Sequence, residues 1–321
     1  MIEQLLMVLA DGRFHSGQEL GGQLGVSRSA IWKQMRQIEA SGIEVYSVKG
    51  RGYRIPGGLD LLNIDAITGQ LEASTRSQLG RVSLDLVIPS TNAKAMQSIY
   101  EDGHGSLYLA EQQTAGRGRR GRNWVSPFAS NLCFSLTWQF SKGAAALEGL
   151  SLAVGVALVR GLHQLGIEDV EVKWPNDLLW RGRKLAGVLL EMVGDASGDC
   201  SVVIGVGINV NMPRSSNDEI DQPWTDLQEI TGKAPSRSTL SAVLMNSLVP
   251  VLEEFSEHGF APLVEEWQQM NAHRDQAVTL HIGQNREQGV CRGVSHNGAL
   301  LLETDTGTRE FHGGEVSVRL P

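Results

Sequence analysis

QQTAGRGRRGRNWVSP, residues Gln112 to Pro127, decides how the chain must fold, because its centre, GRGRRG, matches two nucleotide fingerprints that demand different architectures. Gly116, Gly118 and Gly121 satisfy G-x-G-x-x-G. That fingerprint needs a helix to open behind it and an acidic residue about 20 positions on. The continuation RNWVSPFASN holds Pro127 and several turn formers, and no carboxylate occurs before Glu148, so a dinucleotide fold is excluded. Gly116 and Gly121 also keep the spacing of a P-loop, but Arg122 and Asn123 stand where that motif needs a compact lysine and a magnesium-binding hydroxyl. What remains is three glycines that free the backbone to approach a ligand and four guanidinium groups (Arg117, Arg119, Arg120, Arg122) suited to carboxylate and phosphate. Such a loop repels itself when empty, so it is expected to be mobile until an anion orders it. A basic, solvated surface loop stays open as the alternative.

Upstream, the first 60 residues read as helix, turn, helix and hairpin. Leu5, Leu6 and Leu9 make a short apolar face that stops at Asp11-Gly12. Ser16 to Glu19 has the Ser-x-x-Glu form of a capping box for a helix carrying Leu20 and Leu24. Ser27 caps the next helix, whose inward face is Ile31, Met35 and Ile38. Its opposite face is Arg28, Ser29, Trp32, Lys33 and Arg36. IEVYSVKGRGYRI then makes a hairpin with Lys49 and Arg51 at its turn. The arrangement predicts a winged helix-turn-helix that lays its second helix in the major groove, the wing offering Lys49 and Arg51 to phosphates. Charge agrees: residues 1–60 carry seven Lys/Arg against six Asp/Glu, while the rest carries 21 against 30. A packing module with a basic surface remains the alternative on spacing alone.

Pro56-Gly57-Gly58 reads as a linker into a longer segment in which strands alternate with helices: VSLDLVI, LCFSLTWQF, VEVKW, LAGVLLEMV and CSVVIGVGINV are strand candidates. AAALEGLSLAVGVALVRGLHQLG is expected to be one long buried helix. From Asn271 onward AVTLHI, GVCRGVS, GALLLET and VSVRL suggest a small all-β barrel. The expected units are 1–60, 61–272 and 273–321.

Composition narrows the class. With 41% apolar and 20% charged residues the chain is an ordinary globular protein, not a disordered one or a fibre. No apolar run approaches the roughly 18 residues of a membrane span. MIEQLLMVLADG carries Glu3 where a signal peptide is positive, so a cytoplasmic protein with no membrane partner is expected. Cys133, Cys200 and Cys291 form no CxxC pair, and the eight histidines show no HxxxH or HExxH spacing, so neither a disulfide framework nor a dedicated metal site is expected.

Four further stretches accompany the arginine loop: Ser90-Thr91-Asn92 in IPSTNAKA, KWPNDLLW at Lys173–Trp180, RKLAGVLLE at Arg183–Glu191, and GVGINVN at Gly205–Asn211. In this order the five resemble the biotin-protein ligases, or biotin-[acetyl-CoA-carboxylase] ligases. With the winged helix in front, the chain resembles the bifunctional, repressor form of that family over nearly its whole length. The resemblance implies an α+β chain with a mixed α/β ligase domain related to class II aminoacyl-tRNA synthetases and a C-terminal SH3-like β-barrel. It implies a two-step reaction: biotin and ATP, with Mg2+ on the nucleotide, give biotinyl-5'-AMP and pyrophosphate, and the biotinyl group passes to one lysine of biotin carboxyl carrier protein. It further implies a ligand-induced homodimer that binds operator DNA of biotin biosynthesis genes.

Residue by residue, Ser90, Thr91, Asn92 and Gln113 resemble the family's biotin contacts. Arg117, Gly118 and Arg119 match loop positions that fold over the biotin chain and adenylate phosphate, and Arg117 and Arg119 are expected to be catalytic. Lys184 matches the lysine that reaches the biotin carboxylate and the α-phosphate, and is the expected main electrostatic catalyst; a solvated strand-end lysine is its alternative. Trp124 resembles the aromatic that stacks on adenine. Gly116, Arg122, Lys173, Asn176, Asp177 and Asn209 complete the expected adenylate contacts, although Asp177 could merely cap a Pro-Asn-Asp turn. The GVGIN glycines are expected to let the ligand lie close to a strand. A lipoate-protein ligase and a ligand-sensing repressor without ligase activity remain alternatives.

Overall fold

A computed structural model describes residues 1–321 except 41, 144–146, 195–198, 315 and 321. The amino-terminal helices are α1 (Ile2–Leu9), α2 (Gly17–Leu24) and α3 (Arg28–Ala40). Each starts or stops where local chemistry dictates. Ser16 Oγ accepts the Glu19 amide at 3.0 Å while Glu19 Oε2 accepts the Ser16 amide, closing the capping box of α2. Gly25, at φ 67°, ends that helix left-handed, and Ser27 Oγ accepts the Ala30 amide at 3.2 Å to open α3. Strands β1 (Tyr46–Val48) and β2 (Gly52–Arg54) pair antiparallel as the wing.

The expected linker is packed rather than free. Leu59 N–H donates to Ala10 O at 3.0 Å, and Gly58, at φ 75°, lies so close that a Cβ there would fall 2.3 Å from the same carbonyl oxygen. Phe128, from the far end of the arginine loop segment, is buried in the same cluster as Leu5, Leu9, Ile31 and Met35. The winged helix is therefore joined to the rest of the chain by a shared hydrophobic contact as well as by covalent chain.

The central region opens with α4 (Ile64–Gly69) and α5 (Ala73–Gln78), continues through β3 (Val82–Ile88), α6 (Thr91–Asp102), β4 (Leu107–Gln113), β5 (Asn131–Phe140) and α7 (Leu150–Gln164), and adds β6 (Val170–Lys173), β7 (Asp177–Trp180), β8 (Arg183–Gly194) and β9 (Cys200–Asn209). Helices α8 (Leu227–Thr231), α9 (Arg237–His258) and α10 (Val264–Gln269) follow. The seven strands form one sheet in the order β3-β4-β5-β9-β8-β7-β6, in which β3 and β4 are parallel and every other pair is antiparallel. One face is covered by α7 and α9, whose apolar residues merge with Val202, Ile204, Val206 and Ile208 of β9. The other face carries α6, through Ala95 and Ile99 against Tyr108 and Val203. Because strand side chains alternate, Gly205, Gly207 and Asn209 share the α6 side with Val203.

Three expectations change. The helix expected to begin at residue 144 is described only from Leu150, since Gly149 precedes it in left-handed backbone (φ 81°), where a Cβ would fall 2.6 Å from Phe260 Cβ; residues 144–146 lie outside the described residues. Asp177, whose alternative role was to cap the Pro-Asn-Asp turn, is the first residue of strand β7, paired with Lys173 across the turn at 174–176. Helix α9, 22 residues long with Pro250 inside it, has no counterpart in the sequence reading. The carboxy-terminal strands β10 (Ala277–Ile282), β11 (Asn285–Val294), β12 (Leu300–Thr304), β13 (Gly307–Phe311) and β14 (Val316–Arg319) form a five-stranded antiparallel sheet ordered β13-β12-β11-β10-β14. Of these β13 is the unexpected one, being exposed along most of its length. Among the described residues no helix is long and apolar enough to cross a membrane.

Candidate functional site

A cavity of about 890 Å³ opens on the α6 side of the large sheet. Its walls come from the start of α6, the end of β4, the arginine loop, the β6–β7 turn, the starts of β8 and β14, and the segment Glu219–Trp224. Ser90, Thr91, Asn92, Gln113, Arg117, Gly118 and Arg119 all line it, as do Arg122, Trp124, Lys173, Asn176, Asp177, Lys184 and Asn209. Gly116 does not: it is buried in the neck of the loop, where its carbonyl accepts the Trp124 amide at 2.9 Å and a Cβ would fall 2.6 Å from Trp124 O.

At one end the side chains form a closed network. Ser90 caps α6, and Gln113 Oε1 accepts both the Thr91 amide (2.8 Å) and the Thr91 hydroxyl (3.1 Å). Ser135, which sequence reasoning missed, donates to Thr91 Oγ1 at 2.8 Å and to Asn92 Oδ1 at 2.5 Å. The amide nitrogen of Asn92 donates to Glu191 Oε2 at 2.8 Å. These glycine positions on β9 serve neighbours rather than open space: a Cβ on Gly205 would lie 2.0 Å from Asn92 Oδ1, and one on Gly207 would lie 2.5 Å from the Trp124 indole. Both glycines also line the cavity, so they seat Asn92 and Trp124 against the strand that forms its wall.

The loop is held by its own backbone and by its arginines. Gly118 N–H donates to Arg122 O at 2.7 Å, and Arg120 (φ 59°) and Gly121 (φ 71°) turn the tip in left-handed backbone. Arg117 Nη2 sits 2.8 Å from Glu191 Oε2. Arg119 donates to Asn176 Oδ1 at 3.1 Å and to the carbonyls of Gly313 and Gly314. Arg120 donates to Ser317 Oγ at 3.4 Å. Burial pushes the Arg119 guanidinium below its usual range, although Asp177 opposes this. A smaller hollow of about 260 Å³ adjoins the loop, lined by Arg120, Arg122, His281, Ser317 and Arg319. Thr279, His281 and Arg319 share one face of paired strands β10 and β14, with Leu280 and Val318 turned inward.

At the other end Lys184 Nζ lies 2.8 Å from Asp177 Oδ1, and 5.7 Å from the centre of the Trp124 ring. A bulge sets this up: β7 pairs Leu178 with Ala186 but Leu179 with Lys184, so Leu185 is the extra residue and both Lys184 and Gly187 reach the cavity wall. Gly187 has no side chain to displace the pair, a Cβ there being 3.4 Å from Lys184 Nζ. Asn176 is oriented by its Nδ2 donating to Val188 O at 2.8 Å. Asn209 is buried, and its Nδ2 donates to Thr225 O at 3.0 Å and Lys184 O at 3.4 Å, so its amide braces the lysine's backbone. The Lys173 ammonium is depressed by burial, with Asp177 opposing and Lys184, Arg319 and Arg122 adding repulsion. His273, buried on the cavity wall, is pushed down to about 4 by burial and by Lys173. Gly187 and Glu191 lie within the RKLAGVLLE stretch without being singled out there, and His273 and Trp224 carried no local signal; Trp224 enters because the Lys184 amide donates to Pro223 O at 2.9 Å and the Thr225 amide to Lys184 O at 3.0 Å.

The expected nucleic-acid residues lie apart from this cavity. Arg28, Ser29, Trp32, Lys33 and Arg36 are exposed along one side of α3, and Lys49 and Arg51 are exposed at the wing turn. Arg36 is paired with Glu39 at 2.8 Å, and Arg51 stacks over Phe14 with its guanidinium carbon 4.2 Å from the ring centre.

Known proteins share this organisation. Residues 86–209 match the Biotin/lipoate A/B protein ligase family, residues 2–54 an HTH domain, and residues 273–319 the Biotin protein ligase C terminal domain. The chain is 42% identical over 98% of its length to the "Bifunctional ligase/repressor BirA" of Escherichia coli (strain K12), covering 96% of that protein. It is 30% identical to the protein of the same description in Bacillus subtilis (strain 168), over 96% of this chain and 95% of that one. Among solved structures, biotin protein ligase from Aquifex aeolicus in complex with biotin and ATP superposes with a TM-score of 0.65 at 28% identity, over 75% of this chain and 99% of that one. The chain belongs to the biotin protein ligase family, in the form that carries an amino-terminal helix-turn-helix domain.

Proposed function

We propose that the protein joins biotin to ATP, giving biotinyl-5'-AMP and pyrophosphate, and then passes the biotinyl group to a lysine of biotin carboxyl carrier protein. The observation that carries this reading is convergence: five motifs spread from residue 90 to residue 211 supply side chains to one cavity that offers cations and hydrogen-bond donors but needs no nucleophile of its own. In the first step a carboxylate oxygen attacks the α-phosphorus and pyrophosphate leaves. Negative charge gathers on the phosphoryl oxygens, where a fixed ammonium stabilises most. Lys184 is that ammonium, and its partner Asp177 keeps it oriented between turnovers. Arg117 and Arg119 close over the biotin chain and the phosphate, while Ser90, Thr91, Asn92 and Gln113 hold biotin's ring. Trp124 faces the adenine, with Arg122, Lys173 and Asn176 toward the phosphates. In the second step the carrier amine attacks the acyl carbon, loses a proton, and AMP departs.

Magnesium enters as part of the nucleotide substrate. Asp177, paired with Lys184, is a carboxylate of the cavity wall, and among the described residues no group of three or more His, Cys, Asp or Glu could hold an ion. The three working units are 1–60, 61–272 and 273–321. In the cytoplasm the adenylate-bound chain pairs with a second copy, and two winged helices read the two halves of an operator for biotin biosynthesis genes through α3 and the wing.

The test is an incubation of the protein with Mg·ATP, a biotin carrier domain, and either labelled biotin or labelled lipoate. Label on the carrier lysine from biotin alone supports the reading. Label from lipoate alone, or none from either, overturns it.

A further inference from the structure

One carboxylate joins the floor of the cavity to its lid. Glu191, opposite Val203 in the β8–β9 register, accepts through a single oxygen, Oε2, from Asn92 Nδ2 and from Arg117 Nη2, each at 2.8 Å. The two donors differ in rigidity. Asn92 is 4% exposed, its other amide end is held by Ser135, and it fills the space above Gly205. Arg117 is 47% exposed and belongs to the arginine loop. Between them Glu191 is 24% exposed and already oriented by Asn92. An ion pair in which one partner is held in place loses less side-chain entropy than one between two free surface chains, so it is worth more than the usual small amount.

We propose that Glu191 is a positioning residue: fixed by Asn92, it holds Arg117 at the cavity mouth and thereby sets how long the acyl-adenylate stays bound. The proposal rests on the reading that the cavity holds biotin and biotinyl-5'-AMP. It adds a residue that contacts neither ligand. Any movement of Asn92 on binding the ring is transmitted through the shared oxygen to the loop, which ties recognition at the buried end to closure at the mouth.

The experiment measures release of preformed biotinyl-5'-AMP from the full chain by chase, for the wild type, Glu191→Gln, Glu191→Ala, Arg117→Ala and the Arg117→Ala/Glu191→Ala double variant. Glu191→Gln keeps an oxygen for Asn92 but removes the charge that holds Arg117, so the fold is preserved while the latch is weakened. Release is expected to be about threefold to tenfold faster in Glu191→Gln, with the two alanine changes overlapping in the double variant. The KM for biotin is expected to rise more than kcat for adenylate formation falls. Wild-type release from Glu191→Gln, or alanine effects that multiply fully in the double variant, would overturn the latch. A wild-type chain that forms no adenylate at all overturns the functional reading itself, and the role of Glu191 falls with it.

Discussion

The ammonium of Lys184 stands 2.8 Å from Asp177 Oδ1 on the neighbouring strand, with both side chains less than a fifth exposed. That pair exists because β8 bulges at Leu185 and because Gly187 leaves space beside it. Removing the charge by Lys184→Gln should lower the rate of adenylate formation by about a hundredfold to a thousandfold. Pyrophosphate release in a single turnover measures it; a loss of less than about tenfold would assign the electrostatic role elsewhere.

Two β9 glycines allow the proposed biotin and adenine ends of the cavity to be tested separately. Gly205→Ala drives a methyl group into Asn92, and Gly207→Ala drives one into the Trp124 indole. Overpacking of this kind costs about 1–3 kcal/mol. Steady-state kinetics should therefore show Gly205→Ala raising the KM for biotin roughly tenfold or more, and Gly207→Ala acting on the KM for ATP instead.

The buried pair Arg237–Glu111, both 1% exposed and 2.5 Å apart, fastens the segment that leaves the winged helix. Arg237 also donates to Asp60 O and Asn131 O, and Glu111 accepts the Leu62 amide at 2.6 Å. Glu111→Ala removes the buried carboxylate and leaves the guanidinium only the half-exposed Asp60 carboxylate at 3.8 Å, which should cost about 3 kcal/mol in urea unfolding.

How much of this was legible follows from the range of each signal. The winged helix was readable because Ser16, Glu19 and Ser27 cap within three residues of themselves and the spacing of Ile31, Met35 and Ile38 is local. The arginine loop was readable by exclusion, since its continuation opens no regular helix. The roles of Ser135, Glu191 and His273 were not readable: Ser135 and Glu191, the latter at the end of the RKLAGVLLE stretch, act only through hydrogen bonds to Thr91, Asn92 and Arg117, and His273 comes from a distant turn. The bulge that aims Lys184 depends on the pairing register, which a single strand does not encode. Helix α9 was hidden by its small and polar residues and by Pro250.

His273 sets a pH dependence. The folded imidazole titrates at about 4, below its ordinary 6.5, so between those values the unfolded chain binds a proton that the folded chain does not. Stability attached to this group is complete above pH 6.5 and is lost as pH falls toward 4, on the order of 3 kcal/mol in all. His273→Phe should flatten that part of the unfolding free-energy profile, and an unchanged slope would count against a buried neutral histidine.

On α3, Arg28→Ala and Lys33→Ala should each weaken operator binding, most at low salt. If the lost contact is to a phosphate, the slope of log affinity against log salt falls by about one. Fluorescence anisotropy with and without biotinyl-5'-AMP measures both effects.

The central claim is that a biotin carboxylate oxygen attacks the α-phosphorus of ATP in the cavity closed by the arginine loop. Biotin labelled with oxygen-18 in its carboxylate tests it most directly: after one turnover with carrier, mass spectrometry of the released AMP should show one labelled oxygen. AMP without label, or ADP and phosphate in its place, would contradict the account.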